Sequence, residues 1–207
     1  EMNGAIGFNY LAYVAGIGLS TVAYSHAIAD NGSVNGGVQY LSLGSIDTYD
    51  ASGNATGAVD SYELNVTGSY AHRIDNYTIG ANLKWASSNI AEYVSHALLL
   101  DIGGVYVHPE KDLAVGLVIK NIGVVLSEYS GTSHTKLPFD VQLGISYKPL
   151  HMPFRLTLTG YNLLMGDVTY YDPSDNLNQD KPSGFDKTLA HIAIGTEVII
   201  SKNVELQ

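Results

Sequence analysis

The chain has 207 residues, no cysteine and a net charge of −10. Missing cysteine excludes disulfides and thiolate metal sites, and the acidic balance argues against nucleic-acid binding, which needs a basic face to displace phosphate counterions. Charged residues are only 14% of the chain, while tyrosine (15) and glycine (22) are abundant. That composition suits a sheet protein whose outer surface does not face water, although a soluble β-sandwich can share it.

The start, Glu1-Met2-Asn3-Gly4, has no basic segment followed by an apolar core. The longest nearly apolar stretch, Leu113 to Leu126, is broken by Lys120 and Asn121 and is too short for a spanning helix. A membrane form of this chain must therefore be a closed barrel, since only helices and barrels satisfy every backbone group in lipid.

In chain order the hydrophobic period is 2 almost throughout, which is the signature of strands. Ten are expected, roughly at 4–12, 17–28, 33–48, 59–73, 77–87, 95–108, 113–126, 139–149, 153–162 and 188–200, with an eleventh beginning near Asn203. Val34, Gly36, Val38 and Tyr40 oppose Asn35, Gly37 and Gln39. Tyr62, Leu64, Val66, Gly68 and Tyr70 oppose Ser61, Glu63, Asn65, Thr67 and Ser69. Ile79, Ala81, Leu83 and Trp85 oppose Gly80, Asn82 and Lys84, and Phe139 to Tyr147 and Phe154 to Thr159 repeat the pattern. Aromatics at both ends of an apolar face are what a membrane strand places at its two interfaces. The connections alternate in length. Short turns stand at Asp30–Gly32, Asp75-Asn76, Pro109–Asp112, Leu150–Met152 and Ser201-Lys202, and longer ones at Asp50–Gly57, Ser88–Val94, Ser127–Pro138 and Leu163–Lys187. Periplasmic turns and extracellular loops sort in this way. No helical period and no domain boundary is seen, so residues 1–207 read as one β-barrel domain.

Glu63, Lys84, Asp101, Lys120, Asp140, Lys148, Arg155 and Glu197 fall on polar faces and would point into a barrel lumen. Both signs are interspersed with no single-sign ring, which favours a lumen of mutually paired side chains over a charged pore. The segment holding Asp167, Asp172, Asp175, Asp180 and Asp186 is acidic but follows no EF-hand register. With Tyr170 and Tyr171 beside Asp172, it reads as a partner-docking loop, with Asp167, Tyr170, Tyr171, Asp172 and Asp175 as candidates. The seven histidines, at 26, 72, 96, 108, 134, 151 and 191, share no metal-ligand spacing. Nucleophile-elbow, Walker and dinucleotide signatures are absent, and no catalytic residue, metal or cofactor is expected.

Several runs resemble the PorQ family of the Bacteroidetes type IX secretion system. They are Gly37-Val38-Gln39-Tyr40, Leu43-Gly44-Ser45-Ile46-Asp47, Asp50-Ala51-Ser52-Gly53-Asn54, Gly116 to Gly123, Leu137 to Ser146, Pro153-Phe154-Arg155, Gly184-Phe185-Asp186 and Ser201-Lys202-Asn203. The Lys-Asn-Ile-Gly and Leu-Pro elements are shared with PorV proteins. The resemblance implies a fourteen-stranded outer-membrane barrel similar to the FadL transporters. It implies a non-enzymatic role: anchoring a PorZ-like surface protein in the attachment complex, beside PorU and PorV components, among outer-membrane lipid and lipopolysaccharide. The family chain is longer at both ends, so this sequence is expected to be part of a longer barrel. Two alternatives are a FadL-like transport barrel for hydrophobic small molecules and a soluble β-sandwich binding module.

Overall fold

The structure is a computed structural model, and it describes residues 4–28, 31–91, 93–169, 182–201 and 204–206. Eleven strands form one antiparallel sheet whose order follows the chain: β1 (Ala5–Ala12), β2 (Gly18–Ile28), β3 (Gly32–Tyr49), β4 (Ala55–Ile74), β5 (Tyr77–Ile90), β6 (Tyr93–Val107), β7 (Leu113–Ser127), β8 (Asp140–Tyr147), β9 (Phe154–Gly160), β10 (Ile192–Ser201) and β11 (Val204–Leu206). β1 and β11 end the order and do not pair with each other among the described residues. The chain divides into two compact units, one of Glu1–Arg73, Gly80–Ile102 and Asn121–Pro138, the other of Ile74–Ile79, Gly103–Lys120 and Phe139–Gln207.

In the first unit the register of β1 to β4 lines residues up in rows. Phe8, Val22, Val38 and Val66 make one row, with Ile6, Tyr24, Gly36 and Gly68 beyond it on one side and Tyr10, Ser20, Tyr40 and Leu64 on the other. The opposite face carries the row Asn9, Thr21, Gln39 and Asn65, and the row Leu11, Leu19, Leu41 and Glu63. Side chains alternate across a strand, so each register step swaps the whole row from one face to the other. The apolar rows are the exposed ones: Phe8 is 73% exposed and Val38 44%, while Thr21, Gln39 and Asn65 are half-buried. Over the stretches in continuous register (5–12, 18–28, 32–42 and 62–72) the apolar face holds no Asp, Glu, Lys or Arg.

The second unit repeats this. Val115, Ile145, Leu158 and Ile194 form an apolar row, and Ala114, Ser146, Thr157 and Gly195 form the row behind it. Ile145, Leu158 and Ile194 are exposed, whereas Ser146 and Thr157 are half-buried and share a 3.2 Å hydrogen bond between their hydroxyls. Among the described residues Leu99 is the one buried large apolar side chain, while Ser61, Ser87, Ser95 and Asp101 are buried polar ones. Usual globular proteins bury apolar and expose polar groups; this sheet does the reverse.

Three expectations need correction. The connection after β5 is two residues, Ala91 and Glu92, because β5 and β6 run further than their alternation suggests. Loop lengths are therefore not sorted at that point. Ala91 adopts φ 56° and donates its N–H to the buried Ser61 hydroxyl at 3.1 Å, which holds a turn that lacks a turn-forming residue. A helix, α1 (Gly184–Leu189), occupies the segment read as loop and strand, so β10 starts at Ile192 and not near 188. Its cause is local: Ser183 and Asp186 form a reciprocal capping box, and Lys187 stands in the last turn. A 3-10 turn, Val14–Gly16, also joins β1 to β2.

Candidate functional site

The polar face gathers its charges into two clusters. The first lies within the first unit, on the middle of β5, β6 and β7. Lys84 Nζ stands 2.7 Å from Asp101 Oδ1 and donates to Asn121 Oδ1 at 2.6 Å. Asn121 in turn donates its backbone N–H to Asp101 Oδ1 at 2.8 Å and its side-chain amide to the Pro138 carbonyl at 2.7 Å. Asn82 donates to Asp101 Oδ2 at 3.3 Å and accepts from the Ser69 hydroxyl. Lys84 and Asp101 side chains are 19% and 12% exposed. A charge buried this far needs its partner and its hydrogen bonds, and here the carboxylate has three donors, Lys84, the Asn121 N–H and Asn82.

The backbone explains why these residues meet. Asn121 has φ 59°, a left-handed conformation that asparagine tolerates. The exposure pattern of β7 shifts phase there: Leu117 is exposed before it, and Ile122, Val124 and Leu126 after it. The extra residue of such a bulge re-aims its side chain. Two residues on, a Cβ at Gly123 would collide with the Leu98 carbonyl, so only glycine fits. Lys120-Asn121-Ile122-Gly123 is therefore a backbone device: a bulge, then a close strand approach.

The second cluster lies within the second unit. Arg155 on β9 faces Glu197 on β10 directly in register, at 2.8 Å, and reaches Asp112 at 3.3 Å. Asp140 accepts the Asn162 N–H at 2.6 Å and also accepts from Gln142. Lys120 pairs in register with Asp140. Glu63, half-buried, lies opposite Leu41. Lys148 is half-buried and donates its backbone N–H to the Asp112 carbonyl at 2.9 Å.

Of the candidate docking loop, Tyr170, Tyr171, Asp172 and Asp175 lie outside the described residues. Asp167 is described and is paired with Lys187 at 2.6 Å. The Lys187 ammonium, then the Thr169 hydroxyl and N–H, hold its carboxyl far below the usual carboxylate range. Asp186 belongs to the α1 cap, where the Ser183 hydroxyl and N–H lower it. Among the described residues no group of three or more His, Asp or Glu is placed to hold a metal ion.

One arrangement on the apolar face was missed. Tyr-x-His occurs at the ends of β2, β4 and β6, as Tyr24/His26, Tyr70/His72 and Tyr106/His108. The first two pairs stack with ring centroids 6.3 Å apart. The third is edge-on, and His108 Nδ1 instead accepts the N–H groups of Glu110 and Lys111 in the following turn. The recurrence at every second strand was a visible signal.

No protein-family model matches the chain, and no curated protein is similar to it in sequence.

Proposed function

We propose that the chain is the greater part of an outer-membrane β-barrel, and that it serves a type IX protein secretion system as a PorQ-like anchor for a PorZ-like surface protein. The observation that carries the membrane part is the face of β1 to β4 that, over the stretches in continuous register (5–12, 18–28, 32–42 and 62–72), has no Asp, Glu, Lys or Arg and exposes Phe8, Val22, Val38 and Val66. Fully burying a Val, Leu or Phe is worth about 1.5–3 kcal/mol, and a contiguous apolar face this large is not left in water. Along β4 the aromatic ends of that face, Tyr62 and Tyr70, are separated by about 26 Å of strand at about 3.3 Å per residue. At the usual strand tilt of about 40° that length rises about 20 Å, most of the roughly 25 Å apolar band of outer-membrane barrels. In this reading the paired charges around Asp101 and Arg155 fill the lumen. No helix among the described residues is long and apolar enough to cross a membrane, so strands would do the crossing.

The secretion role rests on the resemblance of the residue runs given above, with PorU- and PorV-like components, lipid and lipopolysaccharide as the further partners. Pull-down of the tagged protein from detergent-solubilised outer membranes tests it. Co-recovery of a PorZ-like protein is expected; recovery of the chain alone at every detergent strength contradicts the role. A FadL-like transporter is the second reading, and the polar side chains on the half-buried face count against an apolar ligand path. A soluble sandwich would need a second sheet over the exposed apolar face, and the strands here follow one another in a single sheet.

A further inference from the structure

We propose that His26 and His72, stacked on Tyr24 and Tyr70, form a belt that binds the phosphate of membrane phospholipid headgroups once the imidazoles are protonated. The inference rests on the membrane reading above and adds a partner to one end of the apolar face.

The register places the belt. His26 lies opposite Val34, which lies opposite Tyr70; Ile28, Gly32 and His72 form the next row out. Both histidines are exposed, and both stand at the end of the apolar face where β2 turns into β3. On that face they are the only ionisable groups other than tyrosine in the stretches of continuous register. Among the described residues their own and adjoining rows on β2, β3 and β4 contain no carboxylate competitor. β3 offers Gly32 and Val34, β2 offers Tyr24 and Ile28, and β4 offers Tyr70. β1 begins at Ala5, opposite Ser25, and the neighbouring β5 opens with Tyr77-Thr78-Ile79. The nearest formal charges along the chain are Arg73 and Asp75 beside His72, both of which have partners, and Asp30 after His26, which lies outside the described residues. The Tyr70 hydroxyl meets His72 Nδ1 at 3.3 Å, which fixes the ring and leaves Nε2 for an outside acceptor. A tyrosine ring seated at the bilayer interface with a cationic imidazolium beside it suits a phosphodiester: the ring takes the apolar boundary and the imidazolium N–H donates to phosphate oxygen. Histidine is the side chain whose ordinary titration falls between pH about 5 and 8, so pH is the variable that tests the contact.

The test uses the protein embedded in bilayer discs of phosphatidylcholine and phosphatidylglycerol. Native mass spectrometry counts the phosphatidylglycerol molecules retained on release, at pH about 8 and about 5.5. Retention should rise on acidification by about fivefold for each protonated ring, the size expected of one cationic side chain at an anionic lipid surface. His26→Gln with His72→Gln should abolish the rise, while His134→Gln, in a loop, should leave it intact. Equal retention at both pH values in the embedded wild-type protein overturns the belt and leaves the membrane reading standing. So does a double variant that keeps the rise. Failure of the protein to enter any bilayer overturns the membrane reading and the belt together.

Discussion

Asp101 accepts the backbone N–H of Asn121 at 2.8 Å, so a carboxylate on one strand holds the left-handed residue that bends its neighbour. Lys84 closes the arrangement by touching both. Removing the negative charge should leave a half-buried ammonium without its counter-ion and set an amide donor where Asn82 donates. Asp101→Asn is expected to cost about 3 kcal/mol, in the range for breaking a buried pair. Asp101→Leu combined with Lys84→Met should cost less than Asp101→Leu alone. Urea unfolding of the detergent- or lipid-embedded variants measures both.

Gly123→Ala drives a methyl into the Leu98 carbonyl. A cost of about 3 kcal/mol is expected, at the upper end for overpacking, because the obstacle is backbone. Ala91→Gly should do the opposite. It relieves a φ of 56° and should stabilise by about 1 kcal/mol, with the Ser61 hydrogen bond retained. Thermal unfolding of the two variants reports opposite signs.

Most of the strands were legible because alternation survives in a single strand: Tyr77, Ile79, Ala81, Leu83 and Trp85 against Thr78, Gly80, Asn82 and Lys84 need no partner to be seen. Three things were not. Ser88, Asn89 and Ile90 read as loop, yet continue β5, because Ser61 supplies the support that Ala91 lacks. The phase slip at Asn121 depends on neighbouring strands, so Asp101 could be named as a polar-face residue but not joined to Asn121. The helix at Gly184–Leu189 was detectable, since Ser183-x-x-Asp186 is a capping signature, but its six residues are too short to show a period. The Tyr-x-His pairs needed a search for repeats across strands and not along them.

The loop between β7 and β8 should loosen in acid. The Glu128 carboxylate accepts from both the hydroxyl and the N–H of Thr135, which hold it below its ordinary range. A depressed folded-state value means that the contact contributes fully above the ordinary glutamate range, about pH 4.3. Its contribution is lost as pH falls through the lowered value. The protection factor of the Thr135 amide, corrected for intrinsic exchange, should fall on acidification below about pH 4. In Glu128→Gln it should be lower throughout and flat over the same range.

Charge placement should discriminate the two faces. Val38→Arg, in the centre of the apolar rows, is expected to cost about 3 kcal/mol in lipid, as for a cation near the bilayer midplane. Gln39→Arg, one residue on and on the other face, should cost well under half of that. Folding titrations into phospholipid vesicles compare them directly.

Because the chain has no cysteine, single nitroxide labels can be placed row by row in the membrane-embedded protein. Labels at Phe8, Val22, Val38 and Val66 should collide freely with dissolved oxygen and be shielded from a water-soluble nickel chelate. Labels at Thr21, Gln39 and Asn65 should show the reverse preference or none. If the first row is instead as open to the nickel chelate as the exposed loop at Ser52, the apolar face meets water and the membrane barrel is contradicted.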